Sequence, residues 1–459
     1  MTSINNQRLT IMFGFPQFPP SLTLRQYQQH AVDSWFANQG RGTLKMATGG
    51  GKTIAALAIV VELYQKIGLQ ALLVVCPYRH LVTQWARECD RFNLDPVLVF
   101  ENAASWQSQL TSRLYNVERG SHPFLCAIAT NSTLMGDRFQ SYLKYFPQKT
   151  LIIGDEAHHL GSPKLEERLP RNIGLRLALS ATPDRYFDET GTQAIFAYFG
   201  PVLKPELTLA DAIDRGALVR YRYYPTPVPL TPYEIQSYAK ITQRIGWALS
   251  KFQGNVEHED VTALLMQRSR LVGAAANKLE TLRQLMISRK NTTHTVFYCG
   301  DGLVEEVANS QLNAVVQLLG YELGYRINTY TANTSIAQRE HLRHQLETGE
   351  LQGLVAIRCL DEGVDIPAIQ TAVILASSGN PRQFIQRRGR ILRSHPGKTH
   401  ATLFDFIGVP PDLDRETWEV ERNLLKKELK RFVEFANIAD NAEEARVKLM
   451  EIHQRYGLL

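Results

Sequence analysis

Short apolar runs alternate with stretches of helical periodicity twice along this chain, and that alternation limits the fold more than any other feature. In the first half the runs at 42–46, 71–75, 124–129, 151–153 and 175–179 read as buried strands, and segments such as 53–67, closed by Gly68, read as helices. Strands that alternate with helices imply a parallel sheet covered on both faces. The pattern returns with runs at 295–298, 326–330, 353–357, 371–375 and 401–406, which predicts a second α/β domain. The stretch between them differs. Pro225, Pro227, Pro229 and Pro232 read as a loop-like connector, and Tyr238, Ile241, Ile245, Leu249 and Phe252 then mark one face of a helix, with a second helical stretch over 260–288. The predicted organisation is an extension at 1–21, a first domain at 22–200, a connector and helical linker at 201–290, a second domain at 291–410 and a helical tail at 411–459.

Composition excludes several classes. With 44% hydrophobic and 21% charged residues, the chain is neither disordered nor of low complexity. Five scattered cysteines without a C-x-x-C speak against a disulfide scaffold or a zinc knuckle. The apolar runs are too short to cross a bilayer and the N-terminus lacks the pattern of a secretory signal, so a cytoplasmic protein is expected. The net charge of +6 permits a nucleic-acid partner without requiring one. Position matters more: the stretch 380–400 holds six Lys/Arg and no acid. The tail from Asp412 carries nine Lys/Arg against eleven Asp/Glu and reads as a packing or partner surface.

The strongest local signal is Met46-Ala-Thr-Gly-Gly-Gly-Lys52-Thr53, between an expected strand and an expected helix. Backbone N–H groups of Thr48, Gly49, Gly50 and Gly51, with the helix N-terminus, can surround phosphate oxygens that side chains would otherwise obstruct. Lys52 would reach the β- and γ-phosphates of a nucleotide, and the Thr53 hydroxyl would bind Mg2+. Met46 stands where the strict pattern has its first Gly. About a hundred residues on, Asp155-Glu156-Ala157-His158 follows the apolar run 151–153. Two carboxylates at the carboxyl end of a buried strand sit beside the crevice where parallel sheets bind ligands. Asp155 would hold the Mg2+ water shell, and Glu156 would orient and deprotonate an attacking water.

With these two segments in place, the sequence resembles the superfamily-2 helicases and translocases, specifically DEAH-type members near the XPB branch. Matching segments run in order from about Leu24 to Arg393. Leu24-Arg25-Gln26-Tyr27-Gln28 resembles the Q-type motif, which implies Gln28 on the adenine edge and Arg25 stacking. Cys76 to Trp85 resembles motif Ia, which implies backbone contacts of nucleic acid at Tyr78, Arg79 and Gln84, with Thr130 and Gly300 on the same track. Ser180-Ala-Thr182-Pro183 resembles motif III, coupling the nucleotide to domain movement together with His158. Phe297 to Gly300 resembles motif IV, and Glu362-Gly363-Val-Asp365-Ile-Pro367 resembles motif V. Gln386-Arg387-Arg388-Gly389-Arg390-Ile-Leu-Arg393 matches motif VI, which implies coupling through Gln386 and places Arg390 and Arg393 against the γ-phosphate.

The resemblance implies two RecA-like domains in tandem, with ATP and Mg2+ as cofactors at their interface, and ATP hydrolysis used to move along DNA, double-stranded in preference. An RNA helicase and an ATP-gated DNA clamp are the rival classes. Ile357 stands where many relatives carry a hydroxyl residue before motif V, with Arg358 beside it as a substitute phosphate contact. No Arg-Glu-Asp tripeptide, damage-recognition region or nuclease constellation is found, so protein partners supplying recognition or nuclease function are expected, in repair, restriction or phage defence. His158 and His159 have no third ligand for a metal and are assigned to interdomain hydrogen bonding. Tyr221, Tyr223 and Tyr224, flanked by Arg220 and Arg222, could stack on bases but read first as structural, and Trp85 and Trp106 read as core residues.

Overall fold

The computed structural model describes residues 14–185, 188–254, 258–304, 309–357, 366–376, 388–409 and 432–458, with Arg422, Lys426 and Leu429 besides. The chain divides into two units between Thr208 and Leu209. The first holds β1 (Arg41–Lys45), β2 (Ala71–Cys76), β3 (Val97–Val99), β4 (Leu125–Thr130), β5 (Thr150–Asp155) and β6 (Leu175–Ser180). They form one parallel sheet in the order β1-β6-β5-β2-β4-β3. Every residue of β2, β4 and β5 is buried, as helices on both faces require. The three-residue edge strand β3 is too short for its apolar run to announce it. Because β1, β6 and β5 are neighbours in space, the segments that leave their carboxyl ends lie side by side, and those segments carry the Gly-rich loop, the acid pair and the Ser-Ala-Thr motif.

The second unit holds β7 (Arg220–Pro229), β8 (Thr295–Cys299), the short antiparallel pair β9 (Leu303–Val304) and β10 (Asn309–Ser310), β11 (Ile327–Tyr330), β12 (Gly353–Ile357), β13 (Thr371–Ile374) and β14 (His400–Val409). Its main sheet is also parallel, in the order β11-β12-β8-β13-β14-β7. Two parallel α/β domains in tandem are thus what the sequence predicts.

The proline-rich connector is a correction. Residues 220–229 are not a loop but a ten-residue edge strand paired in register with β14. In a parallel pair, alternate residues turn both their N–H and C=O to the same side. The Tyr223 N–H points away from β14, donating to Asn441 Oδ1 at 2.8 Å. Pro225, Pro227 and Pro229 share its parity, so each missing N–H falls on the outer edge and the ladder to β14 loses nothing. The same prolines discourage a further strand from adding there.

The helical stretch 201–290 also resolves more finely. Pro232–Lys251, opened by a Thr231/Glu234 capping box, packs against Glu259–Gly273, whereas Asn277–Ile287 buries Leu282 and Met286 in the core of the second sheet. The tail closes the β7 edge. Asn441 accepts from the Tyr223 N–H and donates to the Tyr223 carbonyl at 3.0 Å, Asp440 N donates to the Tyr221 carbonyl at 2.9 Å, and the Tyr221 hydroxyl donates to Phe435 O at 2.7 Å. Tyr221 and Tyr223 are fully buried and Tyr224 stacks on Phe404, so the structural reading of this aromatic cluster holds. Asn441→Ala leaves a buried peptide N–H and C=O unpaired. It should lower unfolding stability by about 1–3 kcal/mol in urea titrations, with no change in nucleotide binding by the first domain.

Candidate active site

The loop 46–52 is held on both sides. Met46 N donates to Ser180 O at 3.1 Å and Ala47 N to Leu207 O at 2.8 Å, so the start of the loop is fixed to β6 and to the segment after Pro201. Glycine is required throughout the triplet: Gly49 has φ +84°. Gly51 has φ +80°, and a Cβ on Gly50 would lie 2.6 Å from Leu207 Cδ2 and 3.0 Å from Ala47 O. Gly51 then caps the helix Lys52–Ile67 without a side-chain cap, and no acid occupies its first turn. The helix therefore presents its free N–H groups and positive dipole end to the loop, an arrangement that fits phosphate. The Thr48 hydroxyl oxygen is buried without a hydrogen-bond partner among the described residues, a second sign of a site shaped for a polar ligand. Lys52 Nζ donates to Met46 O at 3.1 Å, across the concavity.

The Q-type segment grips this loop from behind. Tyr27 OH donates to Gly50 O at 2.9 Å and receives a bond from Arg25 Nη1 at 3.1 Å. Gln28 accepts from Arg25 N at 2.9 Å and donates to Gly51 O at 3.2 Å. A primary amide has two N–H groups, so one Gln28 donor remains for a ligand after the bond to Gly51. Tyr27 is a support residue that sequence reasoning quoted but did not single out. Its buried phenol next to a glycine carbonyl becomes visible only in three dimensions.

Asp155 ends β5, and Glu156 follows in the left-handed region at φ 46°. Asp155 is 8% exposed, and burial pushes its carboxyl above the ordinary range, opposed by the Trp85 N–H, by the Lys52 ammonium and by the Glu156 N–H. Trp85 Nε1 donates to Asp155 Oδ2 at 2.8 Å and Glu156 N to Oδ1 at 3.0 Å. A buried carboxylate that faces the loop lysine has the chemistry to hold a hydrated divalent cation beside a triphosphate, together with the Thr53 hydroxyl. His158, 3% exposed, lies with Nδ1 3.4 Å from Ser180 Oγ and 3.5 Å from Glu156 Oε2, and Ser180 Oγ in turn accepts from Thr182 N at 3.1 Å. These contacts lie within the first domain. The short turn Ala157–Gly161 tucks the ring under β6.

Both halves of the chain are similar to known protein families. Residues 21–185 match the family described as type III restriction enzyme, res subunit, and residues 277–395 match the helicase conserved C-terminal domain. These two domains in this order make the chain similar to the superfamily-2 helicases and translocases of the XPB-like branch. Superfamily-2 proteins of this kind hydrolyse ATP. The DNA 3'-5' translocase XPB2 of Sulfurisphaera tokodaii is 26% identical over 401 residues, which cover 83% of this chain and 80% of that protein. A protein named as a DNA 3'-5' helicase, Rad25, of Haloarcula marismortui is 28% identical over 382 residues, and the match spans 81% of this chain and about half (51%) of that protein. Among solved structures, the ATP-dependent Type ISP restriction-modification enzyme LlaBIII bound to DNA aligns with a TM-score of 0.61 at 19% identity, over 94% of this chain and 33% of its own. The Pyrococcus furiosus Hef helicase domain aligns with a TM-score of 0.51 at 16% identity, over 87% of this chain and 98% of its own, and supports the RecA-like fold.

The other superfamily-2 motifs are placed unevenly. Tyr78 precedes the helix Arg79–Arg91, with its hydroxyl 3.5 Å from His159 Nε2 and its ring stacked on His80. Arg79 is exposed and pairs with Glu101 at 3.4 Å, while Gln84 is half-buried. Thr130 is buried and caps the short helix Asn131–Met135, accepting from Thr133 N. Gly300 N donates at 2.7 Å to Gln311 Oε1, and Gln311, fully buried, also donates to Gly273 O, fixing the motif IV loop. Arg358, Gly363, Asp365 and Gln386 lie outside the described residues.

Motif VI is split between roles. Arg390 and Arg393 are half-buried, whereas Arg388 turns inward, its guanidinium 3.8 Å from the centre of the Phe435 ring and near the Tyr221 phenol. One arginine of the cluster thus packs the tail. Val219 N donates to Leu392 O at 2.8 Å, and Lys398 Nζ donates to Pro367 O at 3.0 Å and to Ile391 O at 2.5 Å, anchoring the end of this segment. Burial, with Arg393 adding repulsion, lowers the Lys398 ammonium to about 7. Between that value and the ordinary 10.5 the unfolded chain holds a proton that the fold does not. Stability should therefore rise with pH from about 7 upward, and the gain is lost as pH falls back through 7. Lys398→Met should flatten this slope in urea midpoints measured from pH 6 to 10.

Proposed function

We propose that this chain is an ATP-driven translocase on double-stranded DNA, with Mg2+ as the metal of its nucleotide site. The observation that carries the reading is the Gly-rich loop at the N-terminus of the helix Lys52–Ile67, beside a buried Asp155 at the end of β5 whose carboxyl the Lys52 ammonium helps to hold down, with Glu156 and the His158–Ser180 contact next to it. Mg2+, held through Asp155 and Thr53, would neutralise phosphate charge. Lys52 and the loop amides would bind the β- and γ-phosphates, Gln28 would read the base edge, and Glu156 would take the proton of the attacking water. Arg390 and Arg393 would stabilise the transition-state charge, with Gly363, Asp365 and Gln386 assisting. His158 with Ser180, close to Thr182, gives loss of the γ-phosphate a route into the sheet.

Two further observations favour nucleic acid as the track. The helix Pro232–Lys251 carries Lys240, Arg244, Trp247 and Lys251 on one exposed face, Trp247 being 68% exposed, and its one acid, Glu234, is buried. Cations with an interleaved aromatic suit a phosphate backbone and its bases. The relatives named as DNA translocases and helicases favour DNA over RNA. Tyr78, Arg79, Gln84, Thr130, Gly300 and Arg358 are the proposed contacts along this track. Protein partners would supply recognition or cleavage. Among the described residues no helix is long and apolar enough to cross a membrane.

Lys52→Ala should abolish binding of a fluorescent ATP analogue. Glu156→Gln should retain that binding with turnover reduced about 10²–10⁴-fold. Arg390→Ala should also bind, yet lose about 10³–10⁵-fold in DNA-stimulated hydrolysis. Wild-type ATPase should respond most to duplex DNA in a panel of RNA, single-stranded and duplex DNA. Stimulation by RNA alone would make the protein an RNA helicase, and hydrolysis without triplex displacement would make it a clamp.

A further inference from the structure

The helix Arg79–Arg91 follows β2, and β2 lies directly beside β5, with Val75 opposite Gly154. Its inward face is Leu81, Val82, Trp85 and Cys89, the spacing of one helical stripe. Packing alone would explain an apolar Trp there. The indole N–H, however, ends on the catalytic-loop carboxylate: Trp85 is 1% exposed and donates to Asp155 Oδ2 at 2.8 Å. The other carboxylate oxygen accepts the Glu156 N–H. With one donor on each oxygen, the carboxylate plane is fixed at both ends while each oxygen keeps a lone pair.

We propose that Trp85 is a positioning residue of the hydrolytic site, its indole N–H holding the Asp155 carboxylate in the orientation that receives the hydrated Mg2+ of the bound nucleotide. The inference rests on the nucleotide reading above. Acidic side chains beside a metal are generally oriented by such outer partners, and losing one costs about 10–100-fold in metal affinity. A short apolar residue at this position would fill space but leave the carboxylate free to rotate about χ1 and χ2.

The test measures binding of a fluorescent ATP analogue by anisotropy as Mg2+ is titrated, in wild type, Trp85→Phe, Asp155→Asn and the double variant. Trp85→Phe should bind the analogue in EDTA as wild type does, yet require about tenfold more Mg2+ for the metal-dependent gain in affinity. In the Asp155→Asn background the same change should add little, because Trp85 acts through that carboxylate. An unchanged Mg2+ requirement in Trp85→Phe would overturn the proposal. So would an equal loss with and without Asp155, which would mark a packing role alone. If Trp85→Phe does not fold by circular dichroism, the benzothiophene isostere of Trp, with the same shape and sulfur in place of N–H, gives the same readout. Wild type showing no metal-dependent binding, with Lys52→Ala no weaker, would instead remove the nucleotide reading itself.

Discussion

One carboxylate governs the first domain. Asp155 is placed at the end of a strand buried on both faces, where an isolated charge would be costly, and it is tolerated because Trp85, Glu156 N–H and Lys52 answer it from three directions. Each of those partners belongs to a different segment: the helix after β2, the turn after β5 and the loop after β1. The sheet order brings the three together, since β1, β6, β5 and β2 are consecutive neighbours. The same order delivers Ser180 from β6 to His158. Reordering any of these strands would leave a buried charge without its partners.

The helix Arg79–Arg91 meets the acid segment of that domain at two points. Its first turn lies beside Tyr78, which meets His159 through a ring contact and a 3.5 Å hydrogen bond. A turn and a half farther on, Trp85 meets Asp155. One rigid element thus contacts both ends of the acid segment, and a displacement at the end proposed to touch nucleic acid would pass through it. Packed side chains with few alternative arrangements transmit such shifts better than a loop could.

The second domain uses buried polar residues as pins. Lys278 donates to Gly273 O and Leu375 O, Gln311 joins Gly273 O to Gly300 N, and Lys398 ties Pro367 O to Ile391 O. All three satisfy backbone groups where helices and strands end, which are the groups a compact α/β domain otherwise leaves unpaired. Arg388 shows the same economy, filling the space between Tyr221 and Phe435 and fastening the tail to the outer strand.

Much of this was legible in the sequence. Alternating runs predicted two parallel sheets, because a strand buried on both faces must be apolar throughout and a covering helix must be apolar on one stripe. The Gly-rich loop and the Asp155-Glu156 pair were legible because phosphate binding demands small residues in a row and hydrolysis demands acids at a strand end. Other features belonged to the tertiary structure. The strand Arg220–Pro229 reads as a loop until the parity of its prolines is set against an outer edge, and edge position is not written locally. Trp85 is indistinguishable from an ordinary core residue by periodicity, since its hydrogen bond crosses 70 positions of sequence. Arg388 and its neighbours look alike as a basic cluster, and only the arrival of Phe435 from the tail separates the packed arginine from the others. Local sequence fixes which groups can bond, and the sheet order decides which of them meet.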